Sequence, residues 1–334
     1  MRLTDVRVHS LSCPIEPKQV RPFYGGFRRL HKRDFVLAIV ETADGRVGYA
    51  PAGASSSAMR EYFEDASHDS FAELLETRVA DAVAGVDLDA PGDLDAAIRH
   101  LGLPTKLESE AISVLDVAYH DLWGKEVGEP VYELLADRDV EPEPLDMYAS
   151  SGMYMDPEGY AEQASAIKVR GFGAYKYRPA GPPEEDVETL RRIRERVGDD
   201  MDIMVDAHTW WKLGDNSYDD QHVERLLDEF EAYDPYWIEE PVEPADYGAY
   251  ERLAAATDVP LAGGESEESP DGLRQLAGTG VDYLQGDVRH HCGFTGCWEL
   301  VEACADDDAV TFVPHNFGTH LGLVANAHLI TASP

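Results

Sequence analysis

Met201-Asp-Ile-Met-Val-Asp206 is a short apolar run closed by a carboxylate, and the pattern returns in Trp237-Ile-Glu239 and Pro260-Leu-Ala-Gly-Gly-Glu265. The three acids lie 33 and then 26 residues apart, about one βα unit each, so in a barrel of parallel strands they meet on one rim. The period continues on both sides. Lys176 ends Ala174-Tyr-Lys176, Asp287 ends Asp282-Tyr-Leu-Gln-Gly-Asp287, and His315 ends Thr311-Phe-Val-Pro-His315. Apolar runs of this length followed by Gly, Pro or a polar turn are what buried parallel strands require. Helical spacing fills the intervals at Leu190 to Val197, Val223 to Phe230 and Trp298 to Ala305, and Leu145 to Gly152 is expected to supply the first strand. The class is α/β, a (β/α) barrel.

The chain's 334 residues accommodate such a barrel and a smaller domain. The first hundred residues read differently. Val6, Val8 and Leu11 begin an irregular alternation, Phe35 to Val40 leads through Asp44-Gly45 into Val47 to Tyr49 as a hairpin, and helical patterns follow at Met59 to Val83 and Asp93 to Leu101. An N-terminal α+β domain with a linking helix is therefore expected over residues 1–125, and the barrel over 126–334.

With 65 acidic and 28 basic residues the net charge is -37, while apolar content stays at 43%. That apolar content excludes disorder for most of the chain. So acidic a surface repels phosphate backbones and anionic membranes, which argues against nucleic-acid or membrane binding. Acids spread along surface helices fit a protein adapted to high salt, where ions screen the self-repulsion. Cys13, Cys292, Cys297 and Cys304 form no metal-site or disulfide spacing and read as small buried hydrophobes. The opening Met1-Arg-Leu-Thr-Asp runs straight into a strand, with no secretory pattern and no apolar run long enough for a membrane span, so a cytoplasmic location is expected.

Oxygen-only ligands on three strands suit a hard dication, most simply a partly hydrated Mg²⁺ held by Asp206, Glu239 and Glu265. Such an ion can chelate a substrate carboxylate and stabilise the enediolate left when the adjacent carbon loses a proton. His315 is the natural base, with Asp287 to hold its tautomer. Lys176 and Arg178, on the same side of one strand, either neutralise the substrate carboxylate or supply a base in Lys176. His208 faces the pocket and can donate a proton to a leaving group. Taken singly, each of these residues is more often a helix cap or a satisfied core group. The ordered set at βα spacing carries the reading.

In these residues the chain resembles the enolase superfamily, specifically its mandelate racemase-like group and the sugar-acid dehydratases within it. The likeness rests on Val205-Asp206-Ala-His208, Trp237-Ile-Glu239-Glu-Pro241, Gly263-Gly-Glu265, Asp287 ahead of Gly293-Phe-Thr-Gly296, and Pro314-His315-Asn. The helix from Ile112 to Lys125, followed by Gly128-Glu-Pro-Val-Tyr-Glu-Leu-Leu135, is similar to the family's lead-in to the barrel. The resemblance implies a capping domain on a modified TIM barrel, Mg²⁺ on Asp206, Glu239 and Glu265, and a His315–Asp287 general-base dyad. It also implies that Asp206-x-His208 matches the galactonate dehydratase pattern, in which the histidine is the acid for departing hydroxide.

Within the group a capping loop sets specificity. Here the basic island Arg21 to Lys32, with Tyr24, Arg28, Arg29, His31 and Lys32, is expected to hold a polyhydroxy acid anion together with Arg178. A homo-oligomer is expected. Arg289-His-His-Cys292 departs from the family pattern, and either histidine is open to a catalytic role. The chain ends at Ser333-Pro334, where the last barrel segment and the return to the cap would be expected. The reaction expected is Mg²⁺-dependent dehydration of an aldonic or aldaric acid to a 2-keto-3-deoxy acid. Racemisation or epimerisation through the same enolate, or acid binding without turnover, are the alternatives.

Overall fold

In the computed structural model, residues 1–23, 26–52, 68–88, 90–153, 155–179, 182–306 and 309–333 are described. β1 (Leu3–Phe23) pairs antiparallel with β2 (Gly26–Thr42), which turns at Asp44-Gly45 into β3 (Val47–Ala52). Gly45 takes φ 85°, the left-handed setting such a turn demands. Val36, Ala38 and Val40 alternate inward and are almost fully buried, as the two-residue period of a one-sided sheet requires. The basic island differs from the expected loop. Arg21 pairs with Arg28 and Pro14 with Lys32, so most of it is a β-hairpin whose backbone groups satisfy one another rather than water. Lys32 is exposed. Tyr24 and the side chains of Arg28 and His31 lie outside the described residues. Cys13, on this hairpin, is exposed, unlike the buried Cys292 and Cys297, and all four cysteines are free thiols.

Against this sheet pack α1 (His68–Leu74), a π-helical turn (Leu75–Val79) that continues it into α2 (Ala80–Val83), and α3 (Gly92–Arg99). Residues 59–67 of the expected Met59 to Val83 helix fall outside the described part. α4 (Thr105–Val127) begins after Pro104 and stops at Gly128, which takes the left-handed conformation that ends helices. Buried side chains cover almost its whole circumference. Its apolar side chains join one core that contains Leu3, Val40 and Phe71 of the cap together with Val288, Phe294, Cys297, Val301 and Leu329 of the barrel.

The second sheet has seven parallel strands in chain order: β4 (Ala149–Met153), β5 (Ala174–Arg178), β6 (Asp202–Asp206), β7 (Trp237–Glu239), β8 (Leu261–Gly263), β9 (Tyr283–Leu284) and β10 (Thr311–Phe312). This is the arrangement of a modified TIM barrel. Its first strand starts later than expected. Glu141-Pro-Glu-Pro144 precedes it, and Leu145 and Met147 are exposed, as befits a stretch entered through prolines that lack the ladder's N–H.

After α5 (Val131–Ala136), the helices α6 (Pro157–Val169), α7 (Pro183–Val197), α8 (Asp220–Glu231), α9 (Tyr247–Ala256), α10 (Pro270–Ala277), α11 (Gly293–Ala305) and α12 (His320–Ala332) alternate with the strands. Side chains of Asp156, Asp219, Asp246, Ser269 and Thr319 cap five of these helices by accepting an N–H of the first turn. Between strands and helices Tyr177, Ile203, Val205, Ile238, Leu261 and Leu284 meet Leu190, Ile193, Phe230, Leu253 and Leu276. Each such burial contributes about 1.5–3 kcal/mol. This packing holds the strand ends, and so the rim, in fixed register.

Candidate active site

Asp206 and Glu239 are the last residues of β6 and β7 and stand opposite each other in the sheet register. Lys176 and Arg178 lie within the neighbouring β5, two residues apart and both buried. The other three expected rim residues sit just beyond their strands rather than in them: Glu265 two residues past β8, Asp287 three past β9 and His315 three past β10. Gly264 explains the first of these. It takes φ 131°, and a Cβ there would lie 2.5 Å from the Leu273 side chain, so only glycine permits the turn that swings Glu265 over the barrel.

Two groups of contacts result. Lys176 Nζ lies 2.6 and 2.5 Å from the two Glu239 carboxylate oxygens and 3.7 Å from Asp206 Oδ2. Arg178 Nε stands 2.9 Å from Asp206 Oδ2, and His208 Nδ1 2.5 Å from Asp206 Oδ1. On the other side His315 Nδ1 is 3.1 Å from Asp287 Oδ2 and its Nε2 is 2.6 Å from Glu265 Oε2. Burial opposes the Asp206 charge, but Arg178, His208 and Lys176 outweigh it and hold that carboxyl well below the usual range. Burial likewise works against the His208 and His315 cations, yet Asp206 raises His208, and Glu265 and Asp287 raise His315 to about 9. Lys176 is raised too, because Glu239 overcomes its desolvation.

The donor set is right for a hard dication: three buried or nearly buried carboxylates on consecutive βα turns, with no sulfur among them. Asp206 Oδ2 is buried and, although 2.9 Å from Arg178 Nε, accepts no hydrogen bond, which suits an oxygen with a lone pair to offer a cation. In this structure cationic side chains compensate all three acids, and among the described residues no three His, Cys, Asp or Glu groups are drawn into a ready cluster. The residues fit the ion by chemistry and position.

Several neighbours were not evident from sequence. Asn326, on α12, donates through Nδ2 to Asp287 Oδ1 at 3.2 Å and to the His315 carbonyl at 3.1 Å, tying both halves of that pair to one helix. Gln285 donates to Glu239 Oε2 at 2.7 Å from the floor of the site. Glu240 is buried with φ 45°, and its carboxylate accepts both the N–H and the hydroxyl of Ser266; burial and then Glu265 raise it to about 7. Asn and Gln are common in any helix or strand, so no signal in one sequence could have selected these.

Arg289 is turned onto Asp287, with its Nη2 2.5 Å from Oδ2. The adjacent histidines do not reach the rim, which corrects the catalytic option left open for them. His290 Nδ1 meets Glu110 of α4 at 3.1 Å, and fully buried His291 lies between two backbone groups. The Gly293-to-Gly296 motif is likewise a docking point. Asp116 of α4 accepts from Thr295 N and Oγ1, and a Cβ on Gly293 would strike that carboxylate at 2.2 Å.

Comparison with known proteins agrees with this geometry. Residues 10–136 match the family model described as the mandelate racemase / muconate lactonizing enzyme N-terminal domain, and residues 159–334 match the enolase C-terminal domain-like model. An N-succinyl-L-Arg/Lys racemase of Bacillus cereus is 28% identical over 83% of this chain and 69% of its own length. A D-gluconate dehydratase of Thermoproteus tenax is 30% identical over 84% of the chain, which spans 55% of that relative. Among solved structures, an enolase-superfamily member from Polaromonas sp. JS666 superposes with a TM-score of 0.84 at 26% identity, covering 100% of this chain and 84% of the other.

Proposed function

The chain belongs to the enolase superfamily, in its mandelate racemase / muconate lactonizing enzyme branch, and from that membership we propose that it is a Mg²⁺-dependent dehydratase of an aldonic or aldaric acid. In this reading it removes the C2 proton, expels the C3 hydroxyl and releases a 2-keto-3-deoxy acid. The observation that carries the reading is a second histidine on the rim: His208 is paired to Asp206 while His315 is paired to Asp287. Elimination needs one group to take the C2 proton and a separate acid to protonate the C3 hydroxyl, whereas racemisation directs both its acceptor and its donor at C2, from opposite faces. The named dehydratase among the relatives supports it.

Asp206, Glu239 and Glu265 would hold Mg²⁺, whose charge when bound lowers the pKa of the proton beside the substrate carboxylate. The rest is done by side chains. His315 has only Nε2 uncommitted to Asp287, so that nitrogen must part from Glu265 before it takes the C2 proton. Lys176 and Arg178, with the cap's basic hairpin, supply the positive field that draws an acid anion into an otherwise acidic protein. His208, held through Nδ1, offers Nε2 to the departing hydroxyl. A racemase using Lys176 as the opposing base is the second reading, favoured by Lys176 and His315 coming from β5 and from the turn after β10, well separated in the strand order, and by the named racemase relative. A screen of sugar acids for 2-keto-3-deoxy products, with Mg²⁺ at high salt, decides: deuterium incorporation at C2 without product selects the racemase, and neither result selects a binding protein.

His208→Gln keeps the size of the side chain and removes the acid. Product formation is expected to slow by about 10²-fold or more while C2 exchange persists, and a C3-fluoro analogue, whose leaving group needs less protonation, should recover part of the rate. Equal loss of exchange and elimination with no rescue would move His208 out of the chemistry.

Halophily belongs to the same reading. The arginines of α7 are already committed, Arg191 to Glu188 and Glu195 and Arg192 to Glu158 and Glu188, which leaves most of the acidic excess unpaired. Repulsion that is screened over about 3 Å at 1 M salt extends about 30 Å at 0.01 M. Transfer to 0.01 M salt should lower the melting temperature by roughly 4 °C or more, the equivalent of about 3 kcal/mol. An unchanged melting temperature removes the inference. Among the described residues no helix is long and apolar enough to cross a membrane.

A further inference from the structure

The turn that carries Glu265 and the turn that carries Asp287 are joined by one imidazole. His291 Nδ1 lies 3.0 Å from the Asp287 amide nitrogen. An amide N–H can only donate, so Nδ1 bears the lone pair and the ring's proton sits on Nε2, which donates to the Glu267 carbonyl at 3.2 Å. The ring is fully buried, neutral and fixed in one tautomer. The Glu267 carbonyl also accepts Lys106 Nζ at 3.2 Å, and Lys106 reaches the Ser266 carbonyl at 3.0 Å. Lys106 comes from α4, the helix shared with the cap, and is itself nine-tenths buried.

Among the described residues no carboxylate lies within ion-pair distance of that ammonium. Two carbonyl oxygens are its hydrogen-bond partners, an expensive way to bury a charge unless the position matters. Glu240 holds the Ser266 amide and hydroxyl from the third side. The two peptides after Glu265 are thus gripped by the helix under the cap, by the end of β7 and by the turn after β9.

We propose that Lys106 and His291 are positioning residues that lock the Glu265 turn and the Asp287 turn into one setting, so that the helix under the cap fixes where a metal-ligand carboxylate and the proton-accepting pair stand relative to each other. The proposal rests on the reading of Glu265 as a metal ligand. Neither residue touches the rim groups through its own side chain except at the Asp287 backbone. Their effect is transmitted through main-chain atoms, as outer-shell partners of metal sites act.

The test uses the whole chain carrying Lys106→Met, His291→Phe, His291→Gln or the Lys106→Met/His291→Phe pair. Mg²⁺ alone is titrated calorimetrically, and amide hydrogen exchange is followed over residues 264–268 and 286–291. Lys106→Met and His291→Phe are each expected to weaken Mg²⁺ binding about 10-fold and to speed exchange in both segments. Lys106→Met should loosen the Asp287 turn, which Lys106 does not contact. The double variant should lose less than the product of the single losses, as coupled sites do. Glutamine can both accept and donate, so His291→Gln should regain most of what phenylalanine loses.

Affinity within twofold of the parent chain, exchange changes confined to the substituted turn, or equal defects for glutamine and phenylalanine would each overturn the proposal. Should His291→Phe not fold, Lys106→Met with its readout in the Asp287 turn decides alone. If the parent chain binds no Mg²⁺, it is the metal reading that fails. Exchange then judges the clamp by itself: loosening across both turns sustains it, and loosening of one or neither overturns it.

Discussion

Glu239→Gln is expected to abolish turnover and to weaken Mg²⁺ binding by more than the 10–100-fold that loss of an outer-shell partner typically costs. Asp206→Asn and Glu265→Gln should do the same, because an amide keeps the shape of the carboxylate and removes the charge that holds a dication. The structure adds a cost that differs among the three. Glu239 is the direct partner of Lys176, which is 1% exposed, and Asp206 faces Arg178 and His208. Removing one member of a buried ion pair typically costs about 3–5 kcal/mol, a fall of roughly 4–7 °C in melting temperature for a chain of this size. Glu265 lies nearer solvent, with its side chain 18% exposed, so Glu265→Gln should lose the metal with the smallest loss of stability. Calorimetric Mg²⁺ titration beside thermal melts separates the two effects. Unchanged affinity in all three variants would remove the metal reading.

His315→Asn should stop both product formation and C2 proton exchange with solvent, a loss of about 10²–10⁴-fold in line with removal of a general base. Asparagine is short enough to leave the turn after β10 undisturbed. The fold there is pinned independently, by Asn326 on the His315 carbonyl and by the His315 amide on the Gly286 carbonyl. Lys176→Met is the comparison. If exchange, followed by deuterium incorporation at C2, survives in His315→Asn and vanishes in Lys176→Met, the proton leaves from the other face and the base is Lys176.

The barrel period and the three acids were legible because buried parallel strands leave unmistakable short apolar runs, and because a rim acid falls at the same phase of every repeat. What could not be read was the offset of Glu265, Asp287 and His315 beyond their strands, since it depends on turn geometry such as the φ of Gly264 rather than on any apolar pattern. Leu145 to Tyr148 was misread as strand for a related reason: two prolines upstream changed the entry point without altering hydrophobicity. The basic island is expected as loop from the family's capping loop, whereas backbone pairing, interrupted between Pro14 and Gln19, makes most of it a hairpin. Asn326, Gln285 and His291 were beyond sequence altogether. Their roles arise from long-range packing, and each is chemically an ordinary core polar residue until its partners are seen.

The packing of α4 bears on how such proteins acquire new substrates. One side of the helix packs against the cap strands and the other against α11, and its buried polar residues Ser109, Ser113 and Asp116 meet the backbone or side chains of the barrel. The cap is therefore not a removable lid. A cap borrowed from a relative would arrive with a helix whose far face is cut to another barrel. Exchange of the whole domain would require the receiving barrel's α11 to change in step, so, on the proposed reading in which the hairpin meets the substrate, variation in substrate choice should concentrate in the hairpin and leave the helix beneath it nearly fixed.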